Sequence, residues 1–269
     1  WGTPGHLQTL PPEDAERARE TLRLLDFDSD LVRWAVPHEH LPTPLPGYHF
    51  PKGGWVKPPR WVQANLAACG PLLNTHYGVE TQNATDLLKT HDAVVVACAE
   101  SSLAVAPIDG ALAGTVKGQI TRVNLHPSTP QSLPLVLSGE TYAISPPQDN
   151  WTLLGATYER PVLDLNPTDE ADQQNLARFR QTLPDWPLGA VLDRRCAVRF
   201  VWNDRLPAIG PVPNMPGVYM STGFASRGLL WAALGGWIIA RYCTGQVVDS
   251  PLLSKIKPRA ARSKAVSRG

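Results

Sequence analysis

The chain has 269 residues, 43% hydrophobic and 18% charged, with a formal net charge of +1. That balance excludes a disordered polymer and gives no global pull toward nucleic acid or a lipid surface, and the length allows one large domain or two interleaved ones. Cys69, Cys98, Cys196 and Cys243 lie far apart without a CxxC pair, which argues against a zinc site or disulfide framework and suits a reducing cytoplasm.

The first thirty residues are rich in Pro, Glu, Asp and Arg and do not read as a signal peptide; the start at Trp1 reads as that of a fragment. Residues 13–25 predict a helix behind Pro11 and Pro12. Prolines and glycines crowd residues 36–59, which predicts loops and tight turns, and a short helix over 60–69 is stopped by Gly70 and Pro71. Residues 76–80 predict a strand. The unbroken apolar run 92–99 predicts a parallel strand covered on both faces. Residues 117–125, 140–145 and 151–158 alternate and are rich in β-branched and aromatic side chains, with a turn at 146–150. They predict an antiparallel sheet with one wet face. An amphipathic helix over 169–183 and a half-buried strand through Cys196, Val198 and Phe200 follow.

The chain closes with its most informative stretch, residues 217–231: a short strand, a turn punctuated by Gly223 and Gly228, and a long apolar helix. Such a turn aims unpaired backbone N–H groups and the positive end of a helix dipole at one point, where an electron-rich ligand edge can bind. The apolar run 228–240 falls short of the ~20 residues a bilayer-spanning helix needs. There is no GxGxxG, no Walker-type motif and no GxSxG elbow, and His38 and His40 lack a third metal ligand nearby in sequence. Arg199 either pairs with Asp193 or Asp204 at the surface or presents its guanidinium fork to a substrate carboxylate, with Tyr142 as a second, hydroxyl contact or an ordinary sheet tyrosine. The tail carries Lys255, Lys257, Arg259, Arg262, Lys264 and Arg268 and no acid after Pro251, so it is either a solvated end or a phosphate-binding arm.

In their order along the chain, Phe50-Pro-Lys-Gly-Gly-Trp55, the run 92–97, Lys117-Gly-Gln119, Leu154-Gly-Ala-Thr-Tyr158, Asp172-Gln-Gln-Asn175, Arg199 with Asp204-Arg-Leu-Pro-Ala-Ile-Gly210, and Ser226-Arg-Gly-Leu229 carry a resemblance. The chain resembles the FAD-dependent D-amino-acid oxidase/glycine oxidase superfamily, and within it the oxidoreductase domain of the bifunctional tRNA 5-methylaminomethyl-2-thiouridine biosynthesis proteins. The resemblance implies a mixed α/β fold: a partial, Rossmann-like FAD-binding domain interleaved with an antiparallel substrate domain. Along the chain it implies a substrate-domain segment over 1–46, FAD-domain segments over 47–106 and 201–269, and the antiparallel domain over 107–200. It also implies a cytoplasmic enzyme with FAD as cofactor and tRNA as partner, oxidising the C–N bond of a carboxymethylaminomethyl group on wobble uridine. Hydride passes to flavin, and hydrolysis of the imine leaves aminomethyl-(thio)uridine. Arg199 and Tyr142 would bind the substrate carboxylate, and Gly223, Phe224, Ala225, Ser226, Arg227, Gly228 and Leu229 the flavin ring. The basic tail would meet tRNA phosphates. The family's first βαβ unit with its GxGxxG, and the methyltransferase half of the bifunctional protein, have no counterpart here; the connection over 82–92 is short, and Ala99 stands where a glycine is usual. A glycine-oxidase-like oxidase of a small free amine, or a non-catalytic remnant without flavin, are the alternatives.

Overall fold

A computed structural model describes residues 1–126, 132–246 and 249–260. In chain order the elements are β1 (His6–Thr9), α1 (Ala15–Leu25), β2 (Arg33–Ala35), β3 (Gly47–Phe50), α2 (Pro58–Ala68), α3 (Ala84–Leu87), β4 (Val94–Val96), α4 (Ser102–Val105) and β5 (Ala113–Leu125). There follow β6 (Val136–Ser138), β7 (Tyr142–Ile144), β8 (Trp151–Gly155), α5 (Asp169–Thr182), β9 (Leu188–Trp202), β10 (Ala208–Pro211), β11 (Val218–Thr222), α6 (Gly228–Cys243) and α7 (Pro251–Ile256). The fold is mixed α/β, and no helix among the described residues is long and apolar enough to cross a membrane.

The chain forms two compact units. The first comprises Trp1–Thr75, Gly118–Tyr158 and Leu165–Ala197; the second comprises His76–Lys117, Glu159–Asp164 and Val198–Gly269. In the first, an eight-stranded sheet runs in the order β2-β3-β1-β6-β7-β8-β5-β9. The turn after Ile144 returns the chain antiparallel, Ala143 opposite Leu154, so Ala143 and Leu154 point to the same buried face. Thr168 caps α5 by accepting from the Ala171 N–H at 3.2 Å, and Asp169 and Glu170 suit the positive end of its dipole. Leu176, Phe179 and Leu183 on α5 pack with Leu137, Ala143, Leu154 and Val123 from the sheet.

In the second unit β10, β11 and β4 form a three-stranded sheet, β4 parallel to β11 and β10 antiparallel to it. Val94, Val96, Val218 and Met220 pack with Trp202 and Ala208 on the buried side. Helix α6 closes against β10 and β11, and Gly235 allows the close approach: a Cβ there would stand 2.9 Å from the Ser221 hydroxyl.

Three expectations from sequence need correction. Residues 76–80 form no strand; Tyr77 and Val79 are 84% and 69% exposed, so the alternation there has no sheet to pack on. The stretch 36–59 is not all loop, because β3 lies within it and pairs antiparallel with β1. The run 92–99 yields only the edge strand β4, whose Val95 is 45% exposed, so it is not covered on both faces.

Candidate functional site

In the second unit β4 and β11 are parallel neighbours, so their carboxyl ends lie on the same edge of the sheet, the edge where open α/β sheets bind ligands. Each strand leaves that edge through a left-handed turn. After β4 it is Ala99, at φ +50°; after β11 it is Gly223 at +75° and Ala225 at +51°. The Thr222 hydroxyl donates to the Ala99 carbonyl at 3.2 Å and ties the two turns together.

The two glycines of the bend serve different needs. Gly223 is fixed from within: besides its positive φ, a Cβ there would stand 2.1 Å from Cδ1 of Trp202. At Gly228 a Cβ would meet nothing within 4 Å, so the protein itself does not require a glycine there. Gly228 opens α6, a helix of 16 residues with no side chain capping its first turn. Its leading N–H groups have no intrahelical carbonyl to meet, and they carry the positive end of the dipole.

The end of β9 joins this bend. The Ala225 N–H donates to the Phe200 carbonyl at 3.3 Å, Val201 pairs with Phe224 as an isolated antiparallel bridge, and the Arg227 N–H donates to the Phe224 carbonyl at 3.0 Å. Arg199, half-buried, lies one residue before Phe200. Within the stretch 223–229, therefore, the N–H groups of Ala225 and Arg227 are engaged internally, whereas Ser226, Gly228 and Leu229 lead into the uncapped helix start. Arg199 and Arg227 are the basic residues of this strand end and bend. Tyr142 belongs to the first unit, on β7 opposite Gly155 of β8, its phenol oxygen 3.2 Å from where a Cβ of Gly155 would stand.

The basic tail is not uniform. Arg259 is buried, and its guanidinium grips both carboxylate oxygens of Asp204 at 2.6 and 2.7 Å. The same guanidinium donates to the carbonyls of Pro207 and Lys257, each at 2.9 Å. It is a structural clasp and is not available to nucleic-acid phosphates, which corrects its expected role. Lys255 and Lys257 are exposed, while Arg262, Lys264 and Arg268 lie outside the described residues.

Two constellations escape a reading of the sequence. The first is the Arg259–Asp204 pair, whose partners are 55 residues apart. The second is a buried network in the first unit. The Gln119 amide donates to Asp172 at 2.7 Å, the Thr121 hydroxyl to the same oxygen at 2.6 Å, and the Asn175 amide to the Gln119 carbonyl at 3.0 Å. Arg194 Nε lies 2.9 Å from the other Asp172 oxygen, near enough for an ion pair though outside hydrogen-bond alignment. The motif fragments Lys117-Gly-Gln119 and Asp172-Gln-Gln-Asn175 thus meet in space, which only the fold could reveal.

Residues 1–242 match the protein family described as FAD dependent oxidoreductase. The chain belongs to that family. It is 31% identical, over 99% of its length, to the tRNA 5-methylaminomethyl-2-thiouridine biosynthesis bifunctional protein MnmC of Paraburkholderia phytofirmans, and covers 48% of that protein. It therefore spans about half the length of such relatives. Among solved structures it resembles glycine oxidase from Geobacillus kaustophilus, at 19% identity and a TM-score of 0.77, over 96% of this chain and 75% of that one. It also resembles L-alpha-glycerophosphate oxidase from Mycoplasma pneumoniae with FAD bound, at 15% identity and a TM-score of 0.70, over 92% of this chain and 74% of that one. These two likenesses concern the fold.

The residues present fit one end of FAD. The open backbone at Gly228 and the uncapped start of α6 suit a flat, electron-poor ring that gains negative charge on reduction. For the phosphates there is no such fit, since the 269 residues contain no GxGxxG.

Proposed function

We propose that the chain is the oxidoreductase part of a tRNA-modifying enzyme that oxidises the C–N bond of a carboxymethylaminomethyl group on wobble uridine, leaving an aminomethyl group. Bound FAD supplies the two-electron oxidant. Arg199 holds the substrate carboxylate through two parallel charge-assisted hydrogen bonds and so fixes which carbon is oxidised. Ser226, Gly228 and Leu229, whose N–H groups have the α6 dipole behind them, would hold the flavin and favour its reduced, negatively charged form, and Phe224, Ala225 and Arg227 would complete that part of the site. Lys255 and Lys257, together with Arg262, Lys264 and Arg268, pair with tRNA phosphates.

The observation that carries this reading is the join between β9 and the bend, which sets the backbone of Arg199 one residue from a hydrogen bond to Ala225. The name of the bifunctional relatives supports the choice of tRNA over a free amine. In those relatives the matched region is part of a longer chain, and a further segment holding the FAD phosphates suits the apolar surface here. Val95 on the outer strand β4 and Leu229, Leu230 and Trp237 on α6 are exposed, a surface of the kind that another element covers.

The complete gene product, supplied with FAD and tRNA bearing the carboxymethylaminomethyl group, is expected to convert that nucleoside, as read by mass spectrometry after digestion. Arg199→Ala is expected to raise KM and lower kcat, reducing kcat/KM by about 30- to 100-fold, the loss of two charge-assisted hydrogen bonds. Unchanged kinetics would remove Arg199 from the site. Faster turnover of free glycine than of tRNA would overturn the substrate.

A further inference from the structure

The first unit holds a cavity of about 500 Å³, a size in the range of small-molecule sites. Trp1 and Trp55 are among its walls, and Ser132, Ser145 and Gln148 are its polar groups. None of the residues that line it carries a charged side chain. It therefore suits a neutral guest, since an ionised one would lose hydration without gaining a counter-charge.

The chain itself sets these walls. Gly2 and Trp55 pair as an antiparallel bridge, the Gly2 N–H donating to the Trp55 carbonyl at 3.0 Å and the Trp55 N–H to the Gly2 carbonyl at 2.9 Å. A Cβ on Gly2 would stand 3.1 Å from the Trp55 indole, and one on Gly54 would stand 2.1 Å from the Gly2 carbonyl oxygen. The half-buried indole of Trp55 is thus laid close against Gly2. The Lys57 ammonium donates to Asp149 at 3.0 Å, which ties the turn carrying Gln148 to the segment after Trp55. Ser145 shares a 2.7 Å hydrogen bond with the Thr152 hydroxyl. Walls fixed before a guest arrives leave little to be ordered on binding.

Trp1 differs from Trp55, because its ring is 84% exposed. A flat guest stacked on it takes apolar area of both partners out of water. Gln148, exposed, offers an amide donor and acceptor side by side, and Ser132 offers a hydroxyl. Such groups match the polar edge of a heterocycle rather than a purely apolar ring.

We infer that this cavity holds an unpaired nucleobase of the tRNA, with the two tryptophans as stacking walls and Gln148 against the base edge. The inference rests on the tRNA reading above and gives that RNA a point of attachment that needs no charge.

The test uses the complete gene product with FAD bound. Its probe is the anticodon stem-loop of the tRNA, intact or with each unpaired loop nucleotide in turn made abasic, and binding is read by fluorescence anisotropy. The variant is Trp1→Ala, whose exposed ring contributes little to folding. Trp1→Ala is expected to weaken binding of the intact stem-loop about tenfold, the weight of one base stacked on an aromatic ring. One abasic position is expected to weaken the unsubstituted protein equally and to cost Trp1→Ala nothing more, because both changes remove the same contact. Unchanged affinity of Trp1→Ala, or losses that add at every loop position, overturns the inference, and the tRNA reading stands as long as the unsubstituted protein converts the nucleoside. A protein that neither binds nor converts tRNA sinks both. If Trp1→Ala instead lowers FAD affinity, read from flavin fluorescence, the cavity takes the adenine of the cofactor and the inference is overturned.

Discussion

The buried network around Asp172 and the buried indole of Trp202 are two ways of placing polar groups in the core of one chain. Gln119, Thr121 and Asn175 direct their donors at one another and at Asp172, so α5 is bolted to its sheet by groups the chain supplies itself. Around Trp202 the donor is buried just as deeply and left over. Both regions are core: Asp172 Oδ2 and Asn175 Oδ1 in the first also lack hydrogen-bond partners, as the indole N–H does in the second. A sharper division separates Gly223, demanded by Trp202 and by its own φ, from Gly228, where a Cβ would meet nothing within 4 Å.

The contrast can be broken experimentally, most forcefully at Asp172. Asp172→Ala leaves Gln119 and Thr121 without their acceptor and Arg194 without its buried partner, and is expected to cost about 3–4 kcal/mol in urea unfolding. FAD affinity of the protein that remains folded should be unchanged; a selective loss of FAD would dissolve the distinction. Next comes the glycine pair. Gly223→Ala forces a Cβ into the Trp202 ring and holds alanine at a left-handed φ, for an expected loss of about 2–3 kcal/mol. Gly228→Ala should leave the unfolding midpoint within about 0.5 kcal/mol of the parent yet weaken FAD binding at least about tenfold, since the methyl intrudes only on what binds. Equal thermal shifts in the two variants would show that both glycines are structural.

Smaller effects sharpen the picture. Burial lowers the pKa of His6 and, with the neighbouring His40 and Arg33, that of His49 below the ordinary histidine value of 6.5. Arg33 Nε donates to His49 Nδ1 at 3.0 Å, which requires a neutral ring. The unfolded chain therefore binds these protons more readily. Stability should be complete above about pH 6.5 and decline as pH falls through the folded values, a trend visible in urea midpoints taken from pH 7.5 to 5. His49→Gln should flatten that slope. Smallest is Ala99→Gly, which relieves a left-handed alanine and should raise stability by about 0.5–1 kcal/mol, net of the freedom glycine gains on unfolding. A loss of stability at that position would mean the turn tolerates alanine without strain.

Local signals in the sequence carried far. The apolar run 92–99 announced the parallel strand β4, though not its exposed face at Val95, the amphipathic stretch 169–183 announced α5, and the glycines at 223 and 228 marked a strand-to-helix bend. What could not be read was the choice of distant partners. Residues 76–80 had a strand's alternation and no neighbour to pair with, whereas β3, in a proline-rich stretch, found β1. Arg259 looked like one more cation of a tail because its carboxylate lies 55 residues upstream.

The clasp has a practical corollary for anyone shortening this protein. A truncation after Ile256, natural-looking because α7 ends there, would strip Asp204 of its bidentate cation and release the loop that steadies the indole. The damage would surface far from the cut, in the packing around Trp202 rather than as a missing piece of surface.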